Sequence, residues 1–503
     1  MIHRMPGMPP GAPILLVGPS PTSNGSCSKG NSVLAAFSGF RPSALAERLA
    51  AAATVSGIVA AGVLSGAGTA VAEGTPQAQG GATATINGLK TYGEAVVHDA
   101  GGDQKVQAGL FEMSVDGGGT LQTYCVDLRA PTQRDAPYQE TSWSSTSLGT
   151  NKDAGKVRWI LQHSYPQVND LVTLARKAGA GNLTEQDAAA GTQVAIWRYS
   201  DGAKVDAADP QAEKLADYLE RSARGLAEPQ ASLTLDPPAV SGRPGAPGAP
   251  LGPVTVHTNA AGVAVSPPAD AAISGVRITD KTGKAITTAK NGTRLYFDVP
   301  KSAADGTAQL TVQASTTVPV GRAFASDSRS QTQILAGSSE STVSATASAT
   351  WAAEGAIPAV SAHKNCAKGA VDIIASNSGD KPFTFELMGA GHTIPAGTTR
   401  TVSVPLQEDQ AYDFTITGPN GFSHRFTGVL DCKTQGAITT QQAKAHNDPR
   451  PATVGGTTAP DTNLAATGGS AITPLIAGAA IGLVVIGGAV LVVLRKREQT
   501  DGS

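Results

Sequence analysis

The stretch LTEQDAAAGTQVAIWRYSDG, residues 183–202, predicts an amphipathic helix with one polar side chain on its inner face. Thr184 and Asp187 form a variant capping box, and Gly202 is a typical helix-ending residue. Gln193 lies on the face that should be apolar, with the neighbours Ala189, Ile196, Trp197 and Ser200. A buried carboxamide without partners costs about 1–3 kcal/mol, so we expect Gln193 to find hydrogen-bond partners in the core.

Residues 85–228 around this helix combine strands and helices. Short strand-like runs come first and helical segments follow, which predicts one α+β domain. In the strand-like run LQTYCVDL (121–128), alternation puts Tyr124 on one face and Cys125 with Asp127 on the other.

The four cysteines divide into three groups. Cys27 lies in residues 1–72, a segment that the sequence indicates is a signal peptide. Cys366 and Cys432 open and close the last β-rich segment, so we expect them to pair, as an exported protein permits. Cys125 is then left alone, either as a small buried hydrophobe or as a reactive thiol.

Both ends of the chain indicate export. An apolar run from Leu49 to Leu64 precedes Ala70-Val71-Ala72, so residues 1–72 are interpreted as a signal peptide cleaved after Ala72, with an N-terminal membrane anchor as the alternative. The uncharged residues 471–494, followed by RKR, predict a transmembrane helix whose basic end is cytoplasmic.

The remaining segments complete a multidomain fold class. After a tail (73–84) and the α+β domain, residues 229–353 predict an all-β sandwich and residues 354–433 an immunoglobulin-like β module with the disulfide. Residues 434–463 lack apolar periodicity and predict a flexible, disordered wall-spanning tether.

Two motifs resemble known families. TYCVD (123–127) and GTQVAIWRYSDG (191–202) are similar to the thioester domain of Gram-positive surface adhesins, which implies a β-sandwich or barrel with a helical part. LAATG (464–468), before the apolar span and the basic tail, resembles an LAxTG-type sortase signal of the actinobacterial kind. The residues that carry this second motif are Leu464, Ala465, Thr467 and Gly468.

The first resemblance implies a covalent bond between Cys125 and Gln193, surrounded by Tyr124, Asp127, Thr192, Ala195, Ile196 and Trp197. A thiolate held against the carboxamide carbon displaces ammonia and leaves a thioester. A lysine amine on a surface or matrix protein then attacks it. The second resemblance implies that a sortase cleaves after Thr467 and joins the chain to peptidoglycan.

Other functions are less well supported by the sequence. A net charge of −2 without a basic stripe argues against nucleic acid. The eight histidines lack metal-ligand spacing, and we expect no metal and no cofactor. We expect no enzyme, although a cysteine hydrolase or transpeptidase using Cys125 with His98 or His163 is one alternative. A structural stalk without covalent chemistry is the other.

Overall fold

The structure, a computed structural model, describes residues 80–245, 250–328 and 330–434. The predicted signal peptide with Ala70 and Ala72, the sorting signal with its span, and the tether beyond residue 434 lie outside the described residues. Across the described ranges, no helix is both long and apolar enough to cross a membrane.

The first part of the described chain has four strands, then three helices, a short fifth strand and a fourth helix. Its strands are β1 (Thr83–Asp99), β2 (Gly102–Val115), β3 (Thr120–Cys125), β4 (Pro137–Thr141) and β5 (Val205–Ala207). Its helices are α1 (Ala154–His163), α2 (Leu171–Ala178), α3 (Glu185–Ser200) and α4 (Pro210–Ser222). Three of these helices begin at side-chain caps, which satisfy N–H groups that a helix start leaves free: Asp170 for α2, Thr184 for α3 and Asp209 for α4.

The regular elements of the second part are strands, apart from one short helix. Its elements are β6 (Leu233–Asp236), β7 (Ala239–Gly242), β8 (Leu251–Thr258), β9 (Val263–Ser266), α5 (Ala271–Ser274), β10 (Arg277–Thr279), β11 (Thr288–Ala289), β12 (Arg294–Asp298), β13 (Gly306–Thr317), β14 (Ala323–Ala325), β15 (Gln333–Ser338) and β16 (Glu340–Trp351). The strands other than β14 and β15 form two mainly antiparallel sheets, ordered β10-β12-β8-β6 and β11-β9-β13-β16-β7. Alternating buried positions along β13 and β16 face the shared apolar core, as expected for a sandwich.

The third part forms a small β module. Its strands are β17 (Pro358–Asn365), β18 (Ala370–Asn377), β19 (Phe383–Leu387), β20 (Ala390–Ile394), β21 (Thr398–Pro405), β22 (Gln410–Thr417) and β23 (Ser423–Leu430). They make the sheet β17-β18-β21 and the hairpins β19-β20 and β22-β23 around one apolar core. Cys366, directly after β17, and Cys432, after β23, form a disulfide that links the first and last strands of the module.

The first two parts share a sheet. Strands that precede the predicted boundary at residue 228 pair directly with strands that follow it. The sheet is ordered β2-β3-β15-β14-β4-β1-β5, and β1 also pairs with β2, which closes six strands into a ring. The strands β14 and β15 therefore belong to the ring although they lie about 200 residues after β3. The physical reason is the pairing of unsatisfied strand edges: β3 and β4 each need a neighbour, and β15 and β14 supply it.

A buried ion pair also joins these parts. The Arg322 guanidinium donates from Nε to Glu140 Oε1 at 2.9 Å, and both side chains are almost fully buried. Glu140 Oε1 also accepts the backbone N–H of Ser232 at 2.9 Å. A buried carboxylate needs such partners, since an uncompensated charge in the interior is strongly unfavourable.

Candidate functional site

The helix α3 carries Gln193 through the centre of the first core. Thr184 and Asp187 make the reciprocal capping box that the sequence predicts. The expectation of an amphipathic helix is wrong, because every residue from Ala188 to Trp197 is buried. The strands β1 and β2 cover one side of the helix and α4 covers another, so solvent reaches only its ends.

Small residues allow this close packing. A Cβ added at Gly191 would lie 2.4 Å from the backbone oxygen of Ala212 on α4, and one added at Gly93 on β1 would lie 3.0 Å from the Cβ of Ala190. The absence of a side chain at Gly191 therefore lets the two helices approach at backbone distance. The run AAAG before Gln193 is explained by these contacts.

Cys125 is the last residue of β3. The prediction that Cys125 and Asp127 share a strand face is wrong, because the strand ends before Asp127. The Asp127 carboxylate instead accepts the backbone N–H groups of Arg129 and Ala130, each at 3.2 Å, and so caps a turn. The end of the strand leaves the backbone groups of Cys125 available for a side chain.

The carboxamide of Gln193 occupies that position. Its Oε1 accepts the backbone N–H of Cys125 at 3.0 Å, and its Nε2 donates to the backbone oxygen of Cys125 at 2.9 Å. The relative exposure is 3% for Cys125 and 0% for Gln193. The structure therefore brings together the two residues that the sequence singles out, and the partners that Gln193 requires are backbone groups of Cys125 itself.

A second glutamine lies on the sulfur side of Cys125. Gln333 on β15 is paired in register with Cys125, and its Nε2 donates to the Sγ atom at 3.6 Å. Burial raises the pKa of the Cys125 thiol well above its ordinary value, while hydrogen bonds from Gln333 and Gln331 oppose that rise. The thiol is thus protonated at neutral pH unless a nearby group takes its proton.

Two carboxyl groups lie near the site, the buried Asp127 and the half-buried Asp201. Burial raises the pKa of Asp201 to about 7, and its interaction with Asp127 adds to the rise. Asp201 Oδ1 accepts the backbone N–H of Leu128 at 2.9 Å, three residues after Cys125. A carboxyl group with a pKa near neutrality is suited to proton transfer, and its electrostatic influence reaches the Cys125 thiol.

The other predicted neighbours pack around the pair. The Tyr124 hydroxyl donates to the backbone oxygen of Tyr165 at 2.8 Å, and the Thr192 hydroxyl donates to Ala188 of its own helix at 2.6 Å. Ile196 and Trp197 are buried one turn after Gln193, in the same core as Cys125. Burial of these side chains excludes water from the core around the carboxamide.

The two histidines considered as bases are engaged elsewhere. His98 on β1 is partly exposed and contacts Asp103 at 2.7 Å and Asp206 at 3.1 Å. His163 at the end of α1 stacks on Trp159 and bonds its backbone oxygen. Among the described residues, the contacts of these two histidines do not include Cys125.

Gln331 and Gln333 are two residues near Cys125 that were not predicted from the sequence. They alternate in the run QTQIL, which in an extended segment would place two carboxamides on one face. In the structure Gln333 begins β15, and Gln331 precedes the strand. That pattern is the signal from which they could have been noticed. Their proximity to Cys125 depends on the pairing of β15 with β3, which spans about 200 residues of chain.

One acidic cluster lies near the disulfide, and its Asp431 interacts electrostatically with Asp127. The carboxylates of Glu408, Asp409 and Asp431 come within 4.8 Å of one another near the disulfide. Glu408 already accepts the backbone N–H groups of Cys432 and Lys433 at 2.6 and 2.7 Å. The cluster therefore has a role in holding the end of the last strand.

Two protein families match parts of the chain. Residues 122–224 match the family described as thioester domain, and residues 358–429 match the family described as bacterial phospholipase C, C-terminal domain. No curated protein matches the chain.

Similar solved structures include three bacterial proteins. The Bacillus anthracis TIE protein is 15% identical with a TM-score of 0.26, covering 70% of this chain and 64% of that one. The thioester domain of the Enterococcus faecium TIE86 protein is 17% identical with a TM-score of 0.25, covering 56% and 99%. The E. coli chaperone DraB is 12% identical with a TM-score of 0.17, covering 40% and 98%.

The present chain thus spans less than two thirds of the length of the Bacillus anthracis protein. The family match carries the assignment, since it includes both partners of the hydrogen-bonded pair. With Cys125 and Gln193 inside the matched residues, the protein carries a thioester domain.

Proposed function

We propose that Cys125 and Gln193 form an internal thioester and that the protein uses it to bind a target covalently. The observation that carries this proposal is the double hydrogen bond between the Gln193 carboxamide and the Cys125 backbone. It holds an amide beside a thiol in a buried site, and such preorganisation supplies much of the assistance that a sluggish acyl transfer needs.

Formation of the thioester follows from this arrangement. The Sγ atom of Cys125 attacks Cδ of Gln193, and negative charge develops on Oε1, which already accepts the Cys125 N–H at 3.0 Å. The Cδ–Nε2 bond then breaks. Nε2 leaves as ammonia with the proton that the thiol gives up, so one S–C bond replaces one C–N bond. Asp201 is suited to carry that proton.

Binding reverses the roles of sulfur and nitrogen. A neutral lysine Nζ on the target attacks the thioester carbonyl, the C–S bond breaks, and the amine's proton passes to the sulfur. The product is an amide between Gln193 and the target, with a free Cys125 thiol. Because each thioester reacts once and keeps its target, the protein acts as a covalent adhesin and not as an enzyme with turnover.

The proposal extends to the cell surface. The signal peptide, the LAATG motif with its apolar span, and the disulfide all support an exported chain that a sortase joins to peptidoglycan. The target is a surface or matrix protein that offers a lysine amine, and no nucleic acid, metal or cofactor is involved. Deleting residues 464–503 should move the protein from the wall fraction to the medium.

Intact-mass measurement tests the covalent chemistry. The secreted protein should be lighter than its sequence by one ammonia, and Cys125→Ala and Gln193→Ala should each restore the full mass. Methylamine should add to Gln193 of the wild type and release a titratable thiol. Gln167→Ala is a matched control, because Gln167 also donates its amide to a backbone oxygen but lies on the surface. A full-length mass in the wild type would contradict the proposal.

A further inference from the structure

We infer that Gln333 is a positioning residue for the thioester: its amide N–H groups orient the Cys125 sulfur and stabilise charge on it. This inference rests on the proposed function. It assigns a role to a strand that the family match, which ends at residue 224, does not include.

The position of Gln333 follows from strand register. In the antiparallel pair β15–β3, Gln333 stands opposite Cys125 and Leu335 opposite Thr123. Directly opposed residues place their side chains on the same face of the sheet. The carboxamide of Gln333 therefore reaches across the strand gap toward Sγ, which it meets at 3.6 Å.

The orientation of the carboxamide is fixed by Thr123. The Thr123 hydroxyl donates to Oε1 of Gln333 at 2.9 Å. With the oxygen occupied by this donor, the nitrogen side of the group faces Cys125. Thr123 and Gln333 are both fully buried, so water does not compete for either bond. The amide is held in one orientation, and its electrostatic interaction with the sulfur is stronger than in water because the local dielectric constant is low.

An N–H donor aimed at sulfur favours the thiolate over the neutral thiol. Sulfur becomes negative at two moments: when the thiol loses its proton to attack Gln193, and when the thiolate leaves as an amine takes the acyl group. Gln333 lies within reach of the sulfur at both. We therefore expect Gln333 to accelerate thioester formation and the later reaction with an amine.

Gln333 differs from Gln193 in what it presents. Its nitrogen is the atom that faces the sulfur, and its carbonyl oxygen is held by Thr123 on the same strand as Cys125. Gln193 instead places its oxygen against an N–H group that can hold an oxyanion. This contrast assigns the acyl group to Gln193 and the donor role to Gln333.

The experiment compares Gln333→Met and Gln333→Glu with the wild type in the full-length secreted protein. Both variants keep the approximate length of the side chain. Gln333→Met removes the N–H donors, and Gln333→Glu replaces them by a single O–H that is lost when the carboxyl group ionises. Methylamine is the probe, and intact mass over time gives the rates of thioester formation and of adduct formation. We expect Gln333→Met to slow adduct formation about 10- to 100-fold, as loss of a hydrogen bond to a charged group does.

The pH profile separates this role from a merely structural one. Gln333→Glu should lose further rate as pH rises and its carboxyl group ionises beside the sulfur, whereas the loss in Gln333→Met should not change with pH. Gln167→Glu is the matched control and should react at the wild-type rate. Thr123→Val removes the hydroxyl that orients the Gln333 carboxamide but keeps Gln333 itself. It should reduce the rate less than Gln333→Met does, and it tests the inference if the Gln333 variants do not fold.

Three results would overturn the inference. Wild-type rates in folded Gln333→Met or in folded Thr123→Val would overturn this inference and leave the proposed function standing. A deficit of one ammonia that persists in Gln193→Ala and disappears in Gln333→Met would make Gln333 the acyl group instead. A wild-type protein without the deficit would overturn the proposed function itself, and the inference with it.

Discussion

The side-chain carboxamide of Gln193 forms two hydrogen bonds with the backbone of Cys125, a residue 68 positions earlier in the chain. The glutamine thereby copies the pairing that a neighbouring strand would make at the end of β3. This relationship joins helix α3 to the sheet and holds the two residues of the proposed thioester in one buried site. Removing either residue should therefore affect both the packing and the proposed chemistry.

Removing Trp197 should shorten the life of the thioester. Its indole is buried one turn after Gln193, and Trp197→Ala would leave a cavity that costs about 3–5 kcal/mol and admits water. The rate of spontaneous mass gain at constant temperature should rise, while Trp197→Phe, which keeps an aromatic ring, should change it less. An unchanged hydrolysis rate in Trp197→Ala would show that the indole does not exclude water.

Stability should fall as pH rises toward neutrality because of Asp201. Burial raises the pKa of this carboxyl group from its ordinary 3.8 to about 7. The folded protein therefore holds a proton that the unfolded chain has released between about pH 4 and pH 7, so stability is lost across that range.

Asp201→Asn should reduce the loss of folding stability between about pH 4 and pH 7, by about 4 kcal/mol at most. The amide keeps an oxygen for the Leu128 N–H, and Ser200 retains Ile196 as an acceptor. Denaturant midpoints at a series of pH values measure the effect. Burial also raises the pKa of Asp431 to about 7, so part of the slope should remain. Identical slopes in the variant and the wild type would speak against a raised pKa at Asp201.

Arg198 should be the main electrostatic support of the Gln193 helix. Its guanidinium contacts four carboxylates on β5 and α4 at 2.6–3.1 Å: Asp206, Glu213, Asp217 and Glu220. Arg198→Met would leave these like charges together, and we expect a loss of about 2 kcal/mol, reduced from the value for fully buried pairs because the carboxylates are partly exposed.

The loss in Arg198→Met should shrink at high salt and at acid pH, where the carboxylates are screened or protonated. Arg221→Met is the matched control, because Arg221 is exposed and makes one ion pair with Asp217 at 3.5 Å. Thermal unfolding at two salt concentrations measures both variants. Equal losses of stability in the two variants would mean that the four carboxylates around Arg198 contribute no more than a single surface ion pair.

The disulfide should stabilise the third part of the chain without being needed for the thioester. Cys366 and Cys432 are 66 residues apart, and closing a loop of that length stabilises by about 4 kcal/mol. Replacing both by serine should lower an unfolding transition while the ammonia deficit persists. Calorimetry and intact mass measure the two effects. Loss of the deficit would tie the site to the third part of the chain.

Some features were determined by local sequence. The capping box at Thr184 and Asp187, the helix around Gln193 and the need for buried partners of its carboxamide follow from residue types and spacing. Cys366 and Cys432 could be matched because they bracket one segment of strands, and the pair is present in the structure. Such features depend on neighbours a few residues away or on the count of a rare residue type, both of which are readable in one sequence.

Other features were decided only by tertiary structure. Strands β14 and β15 join the first sheet across about 200 residues, and this pairing brings Gln333 to the sulfur of Cys125. Strand pairing is formed by backbone groups that every residue carries, so residue types do not specify a distant partner. The end of β3 at Cys125 and the burial of α3 on all sides likewise depend on what packs against them. The sequence thus singles out Cys125 and Gln193, and the fold decides what surrounds them.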